Sequence, residues 1–390
     1  MKGRYKQLIA GFIVISLIGM VGCTTSTDLN DQAYVTAIGF DKGPEGKVEL
    51  TVQIVKPSVL KRDGGGDKEA FWTFTSIGET TFEAIRNMLT TVNRKLYFAH
   101  AQFMVFGEEL ARDGILKYIE AFERDQESNL KAFLLIAKGT TAKKILEAKS
   151  ELEQIPAAHI TDIIENNEAT TKLRKITLME FYRQITQERS CPLLGVIVPR
   201  DKNKEKFQIK DLKIEGGAVI RGDKLAGYTD TIQTQSFLLL KEEVGSGIIN
   251  VSDPYQPDKK IAIEIVGVDS SMDVILNGEE VSLICEINIK GNLGGQQSQT
   301  NLATEKALIA VEKQVEKKIS RQVEETVILT QEKGGCDIFG FSGITHRKYL
   351  DFWKNNESNW KKFYSQASIR VETIMHIEKI GMVKRPVKRR

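Results

Sequence analysis

Thiols and imidazoles are the side chains best suited to metal binding and nucleophilic chemistry, and this sequence is sparing with both. Its four cysteines are Cys23, Cys191, Cys285 and Cys336, and its four histidines are His100, His159, His346 and His376. Zinc sites pair their ligands at short spacings such as CxxC or HExxH, because neighbouring turns must aim them at one point. No such pair occurs, and neither a GxSxG nucleophile turn, a GxxxxGK[ST] phosphate loop nor a GxGxxG dinucleotide turn is present. His376-Ile377-Glu378 has the HxE spacing of zinc deaminases but lacks their PCxxC partner, and it reads as strand. His100 sits beside an apolar strand, His159 in a helix, and His346 in a loop after Gly343. Asp41 and Glu108-Glu109 follow apolar strands, where catalytic acids can occur, but solvated turn and helix-start roles account for them. No catalytic, cofactor-binding or metal-ligating residue is assigned, and no cofactor is implied.

Cys23 is the exception. Met1 to Gln7 carries Lys2, Arg4 and Lys6, Leu8 to Gly22 is apolar, and Met20-Val21-Gly22-Cys23 is followed by the polar run Thr24-Thr25-Ser26-Thr27-Asp28. An apolar stretch of about 15 residues matches a signal-peptide core and falls short of the roughly 20 needed to span a bilayer. The four residues ending at Cys23 resemble a bacterial lipobox: a small residue before the cysteine, an aliphatic one three positions ahead. A lipid group joined to the Cys23 sulfur, with cleavage before it, makes residues 1–22 a signal peptide and the mature protein membrane-anchored through two or three acyl chains. Cys23 is the one site residue assigned, as a lipidation site.

The three leader cations account for the whole formal charge of +3, so the mature chain is electrically balanced and a nucleic-acid partner is not expected. With 41% apolar and 27% charged residues, the composition is globular rather than disordered. Cys191, Cys285 and Cys336 lie 94 and 51 positions apart, which leaves room for one disulfide without indicating it; buried thiols acting as small apolar side chains are the expectation.

Around these residues the pattern alternates between strand and helix. Tyr34–Phe40 and Val48–Val55 read as a hairpin about Asp41-Lys42-Gly43-Pro44-Glu45-Gly46, followed by a Gly64-Gly65-Gly66 surface loop and a strand at Phe71–Ser76. Thr80 and Thr81 cap a helix from Phe82, Ala101–Phe106 is a strand, Leu110–Phe122 is one amphipathic helix, and Ala132–Ala137 suits a buried strand. Arg221-Gly222-Asp223 is a turn between strands. Beyond strands at Ile261–Val266 and Val281–Ile289, Asn292–Thr300 reads as a loop. Leu308, Val311, Val315, Ile319, Val323 and Val327 then form one stripe of a helix over Asn301–Glu332, about 45–50 Å long and laid across a sheet. Gly334-Gly335 ends it. The aromatics from Phe339 to Tyr364 read mainly as core, and Ser368–Ile377 as a final strand.

Four stretches together resemble the Ger(x)C lipoproteins, the C subunits of spore germinant receptors in endospore-forming bacteria. They are Leu29-Asn30-Asp31 through Val35–Asp41; Arg94-Lys95-Leu96-Tyr97-Phe98-Ala99-His100-Ala101-Gln102; Gly216-Gly217-Ala218-Val219-Ile220 with Asp223–Tyr228; and Cys336-Asp337-Ile338-Phe339-Gly340-Phe341 with Trp353 and Trp360. The likeness runs in order over nearly the whole chain. Departures include Ser342 where the family usually has Gly, and Gln233-Thr234-Gln235-Ser236 in place of an acidic Glu-Thr-Arg-Gly stretch. The resemblance implies no enzymatic activity. It implies a lipoprotein on the outer face of the spore inner membrane, partnered by integral-membrane A and B subunits. Direct germinant binding by this subunit is left open.

The expected fold is α+β: two to three mixed α/β domains in a row, mainly antiparallel sheets with packed helices and one long helix in the C-terminal region. The expected division is a signal peptide (1–22), an N-terminal mixed α/β domain (23–199), a β-rich middle segment (200–255), a C-terminal α/β domain holding the long helix (256–383) and a basic tail (384–390). Two other functions stay open on sequence alone, a free-standing solute-binding lipoprotein and an anchored envelope hydrolase.

Overall fold

A computed structural model describes residues 32–56, 70–124, 127–148, 155–166, 170–188, 190–200, 212–332 and 334–381. Cys23, the triple-glycine stretch, the charged run from Asp201 to Lys206 and the basic tail lie outside the described residues.

Nine strands form the first sheet: β1 (Gln32–Lys42), β2 (Val48–Val55), β3 (Phe71–Gly78), β4 (Lys95–Tyr97), β5 (Phe103–Gly107), β6 (Phe133–Ala137), β7 (Leu193–Pro199), β8 (Leu212–Arg221) and β9 (Lys224–Thr229), in the order β3-β2-β1-β5-β6-β7-β8-β9 with β4 beside β1. Its centre, β1-β5-β6-β7, is parallel; antiparallel pairs flank it on both sides. β5 and β6 are almost wholly buried, as parallel strands covered on both faces must be, and their continuous apolar runs follow from that. Side chains alternate between two cores. Met104, Phe106, Leu134 and Ile136 pack under α1 (Thr81–Met88), α2 (Glu108–Asp113), α3 (Leu116–Arg124) and α6 (Leu178–Arg183). Phe103, Val105, Leu135 and Ile197 face α4 (Ala142–Leu146) and α5 (Pro156–Asn166).

The single helix expected over Leu110–Phe122 is two. Gly114 breaks it at φ 117°, a conformation that side-chain-bearing residues avoid. A Cβ there would stand 2.5 Å from Asp223 Oδ2, and the next amide, Ile115 N–H, donates to the Asp223 carbonyl at 2.8 Å. The Arg221-Gly222-Asp223 turn of the β8–β9 hairpin thus fills the break, a tertiary contact that helical periodicity cannot register.

The second sheet is β10 (Gly247–Ser252), β11 (Lys260–Asn277), β12 (Glu280–Gln296) and β13 (Ser368–Lys379), in that order, antiparallel except for the β12–β13 pair. The β11–β12 hairpin is much longer than the expected strands, and residues 292–296, expected as loop, belong to β12. Their polar and glycine-rich stretches lie at exposed or half-exposed positions, where no apolar alternation is required. Strands from 200–255 are shared out: β8 and β9 complete the first sheet, and β10 begins the second.

The long helix, α8 (Glu305–Glu332), spans 28 residues, about 42 Å. Val311, Val315, Ile319, Val323 and Val327 of the predicted stripe are all fully buried against the sheet, each contributing roughly 1.5–3 kcal/mol of transfer free energy. Its other faces reach the sheet margins. Glu316 Oε1 accepts from Met375 N–H at 3.1 Å and Glu312 Oε1 from Ile377 N–H at 2.8 Å, both on β13, while Lys318 Nζ donates to the Asn250 carbonyl of β10 at 2.7 Å. Gly335 stops the helix at φ 62°, its N–H donating to the Gln331 carbonyl. After it, α9 (Phe341–Lys348), α10 (Leu350–Asn356) and α11 (Trp360–Gln366) pack their aromatics into the same core, as expected for Phe339, Phe341, Trp353, Trp360 and Tyr364.

Candidate functional site

The sequence motifs prove to be structural hinges of the fold. Asp41, expected at a solvated turn, is instead buried and caps the distant α4: its Oδ1 accepts from Ala142 N–H and its Oδ2 from Lys143 N–H, each at 2.8 Å. Burial pushes its carboxyl above the usual value, and the two amides pull it partly back. Glu108 and Glu109 start α2, as expected. Glu108 pairs with Arg112 at 2.7 Å and Glu109 faces Lys42 at 3.6 Å.

Cys336 does not remain a thiol. It forms a disulfide with Cys191, S–S 2.05 Å and Cα–Cα 5.8 Å, correcting the expectation of three buried thiols. Residues 145 apart could not be matched from spacing; the fold brings the entry to β7 against the end of α8. Cys285 is the buried thiol expected, and burial pushes its pKa up to about 12. Asp337, next to Cys336, accepts from Gly340 N–H, Ser342 N–H and Trp360 Nε1–H, while its own carbonyl receives the Cys191 amide. Phe339 packs on Phe237, and Phe341 on Tyr364. Ser236, in place of a family glycine, is buried at the crossing of α7 (Thr231–Leu240) and α8, within 3.0 Å of Thr326 Oγ1 and 3.2 Å of Gln322 Nε2.

The histidines are scattered. His100 packs against Tyr34 and Tyr97, His159 is in α5, and His376 is an exposed side chain of β13. His346 is in α9 rather than a loop, stacked on Trp353 at 5.6 Å. Among the described residues no group of three His, Cys, Asp or Glu side chains is arranged to hold a metal ion.

Two features escaped the sequence. At the seam between the sheets Arg174, 2% exposed, pairs with Glu180 and with Glu243 (3.3 Å), donates to Gln184 Oε1, and lies over Phe237 at 4.9 Å. Its partners are spread over seventy positions of sequence, so no local pattern signals it. The second is a cavity of about 890 Å³ between α1, α3 and β4. Its floor is Ile85, Leu96, Phe98 and Phe122; its rim carries Phe82, 59% exposed, and Leu89, 39% exposed, with Arg86, Lys95, Lys117 and Arg124. Thr81 Oγ1–H fixes α1 to α3 by donating to the Tyr118 carbonyl at 2.8 Å. Lys95 pairs with Glu127 and Arg124 with Glu120. Arg86 and Lys117 lie over the Phe82 and Tyr118 rings, and among the described residues neither forms a close ion pair, Lys117 acting only at longer range on Asp113. Phe82, Arg86 and Leu89 lie at i, i+4 and i+7, so this stripe was visible; the buried Ala84 and Met88 gave the helix a second apolar face that claimed the role of core.

Among the described residues no helix is long and apolar enough to cross a membrane. The fold resembles the crystal structure of the GerBC protein with a TM-score of 0.58, at 17% identity, over 87% of this chain and 96% of that one. The chain is 24% identical to spore germination protein KC of Bacillus subtilis (strain 168), covering 98% of each, and 22% identical to spore germination protein B3 of the same organism, covering 98% of this chain and 100% of that one. Residues 25–199 match the family profile described as the spore germination protein N-terminal domain, and residues 215–381 the one described as spore germination B3/GerAC like, C-terminal. With both halves matched in order, the chain belongs to the GerAC-like family of spore germination proteins, the germinant receptor C subunits.

Proposed function

We propose that this chain is a non-catalytic C subunit of a nutrient germinant receptor, held through a lipid on Cys23 at the outer face of the spore inner membrane and assembled there with integral-membrane A and B subunits. The observation that carries the reading is the match of both family domains, in order, across residues 25–199 and 215–381. The lipobox-like Met20-Val21-Gly22-Cys23 supports the anchor, and the sequence holds none of the catalytic signatures sought. The subunit acts by contact: a germinant bound in the complex favours one conformation, and a subunit that binds that conformation better shifts the equilibrium toward it.

Affinity capture of the tagged protein from detergent-solubilised spore membranes tests this, in the wild type and in Cys23→Ala. Two multi-pass partners should be recovered, and fewer in the variant. A stable, abundant protein that brings down no membrane partner from either strain would sink the assignment.

A further inference from the structure

The cavity between α1, α3 and β4 stands at the point where the chain enters the fold. β4 pairs in parallel with the first residues of β1, Gln32 opposite Lys95, and Lys95 is part of the cavity rim. Cys23 precedes Gln32 by nine residues, a tether of at most about 30 Å when fully extended. If Cys23 is acylated as proposed above, the Gln32–Lys95 corner of this rim is held within about that distance of the headgroups.

The rim is chemically suited to such a surface. Phe82 of α1 and Leu89 at its C-cap project apolar groups into solvent seven positions apart, Arg86 lies between them in sequence, and Lys117 lines the same cavity from α3. Exposed Phe and Leu with interleaved cations is the composition of a helix face that seats in the interface of an anionic bilayer. Arg86 and Lys117 are the two rim cations with no close ion pair among the described residues; Lys117 acts only at longer range on Asp113, which Lys42 already holds at 2.8 Å, so both cations can turn to lipid phosphates. The chain as a whole has no compensating excess of positive charge once the leader is set aside, so attraction to an anionic surface must come from a local patch.

We propose that this rim is a second, non-covalent membrane contact: Phe82 and Leu89 insert at the headgroup level of an anionic phospholipid surface while Arg86 and Lys117 engage its phosphates. It orients the subunit on the bilayer, which a single point of attachment at Cys23 does not do.

The test uses residues 24–390, which contain every described residue and no Cys23, so that its result is independent of acylation. Binding to sedimented vesicles of phosphatidylglycerol and phosphatidylcholine is compared with binding to phosphatidylcholine alone. The wild type should bind the anionic vesicles in a salt-sensitive manner. Arg86→Glu with Lys117→Glu should weaken binding by about 30-fold or more, at roughly fivefold per cation lost. Phe82→Ser with Leu89→Ser, which leaves the charges in place, should weaken it as well. Lys313→Glu with Lys317→Glu, an equal charge change on the exposed face of α8, should leave binding unchanged. Absence of wild-type binding to anionic vesicles overturns the proposal, and so does equal loss in the α8 pair. Either result leaves the Cys23 anchor, tested separately by membrane recovery, untouched.

Discussion

Replacing Cys191 and Cys336 together by alanine removes a cross-link between residues 145 apart in sequence. The native contacts around it survive the change: the Cys191 amide still reaches the Asp337 carbonyl and the Cys336 amide the Thr330 carbonyl. The principal effect therefore falls on the unfolded chain, which regains the freedom that a closed loop of this size denies it. Loop-closure entropy for 145 residues amounts to about 5 kcal/mol at 25 °C. With a transition entropy of about 2.1 cal/mol/K per residue over the folded span of the chain, that corresponds to a fall in Tm of about 7 °C. Unfolding residues 24–390 in urea, oxidised, reduced with dithiothreitol, and as the double variant, reads both the midpoint and the slope. Reduced wild type and variant should coincide, each with a lower midpoint and a steeper slope than the oxidised protein, because an unlinked chain exposes more surface. The reasoning is refuted if all three preparations share one midpoint, or if the denatured, unreduced protein offers three reactive thiols instead of one.

Cys285, with its pKa pushed up to about 12 by burial, should resist alkylation at pH 8 in the native state and react only on unfolding, as followed by mass spectrometry. Arg174→Met should cost about 1–3 kcal/mol in denaturant melts by removing the guanidinium from the partly exposed Glu180 and Glu243, and adding Glu180→Gln and Glu243→Gln should recover much of the loss. Asp41→Ala should cost about 1–2 kcal/mol through the lost cap on α4. Because the folded Asp41 carboxyl holds its proton more tightly than the unfolded one, its contribution to stability falls as pH rises from the ordinary carboxylate value through the folded one. Asp41→Asn should abolish that part of the pH dependence in melts from pH 3 to 7.

Elements whose signal is local were readable from the sequence. The α8 stripe, the buried run of β6 and the turn at Gly222 each declare themselves within about twenty residues or fewer, and the structure places them accordingly. What escaped depends on distant chain. Gly114 splits a periodic helix because Asp223 occupies the space beside it, and Asp41 looks solvated until α4 arrives from a hundred residues away. The polar half of the β11–β12 hairpin needs no apolar alternation, so its length was invisible. The cavity rim was hidden for a different reason. Phe82 and Leu89 have the residue types of core, and only the packing of α1 through Ala84 and Met88 leaves them outside. The Ger(x)C motifs were recognisable as a series, yet in three dimensions they are caps, a disulfide and aromatic packing.

The placement of α8 over both margins of the second sheet limits how this protein can associate with copies of itself. A bare edge strand offers a row of unpaired donors and acceptors that any extended segment can copy, which is how sheets grow into fibres. Here Glu312 and Glu316 occupy amides of β13 and Lys318 a carbonyl of β10, so one helix blunts both ends with side chains of opposite charge. If the chain is lipid-anchored as proposed, its copies would diffuse in two dimensions at high local concentration, and unguarded edges would then meet often. Where those groups are occupied, contact of the second sheet with another chain would run through side-chain surfaces, where shape and charge discriminate, rather than through backbone pairing, which accepts almost any sequence.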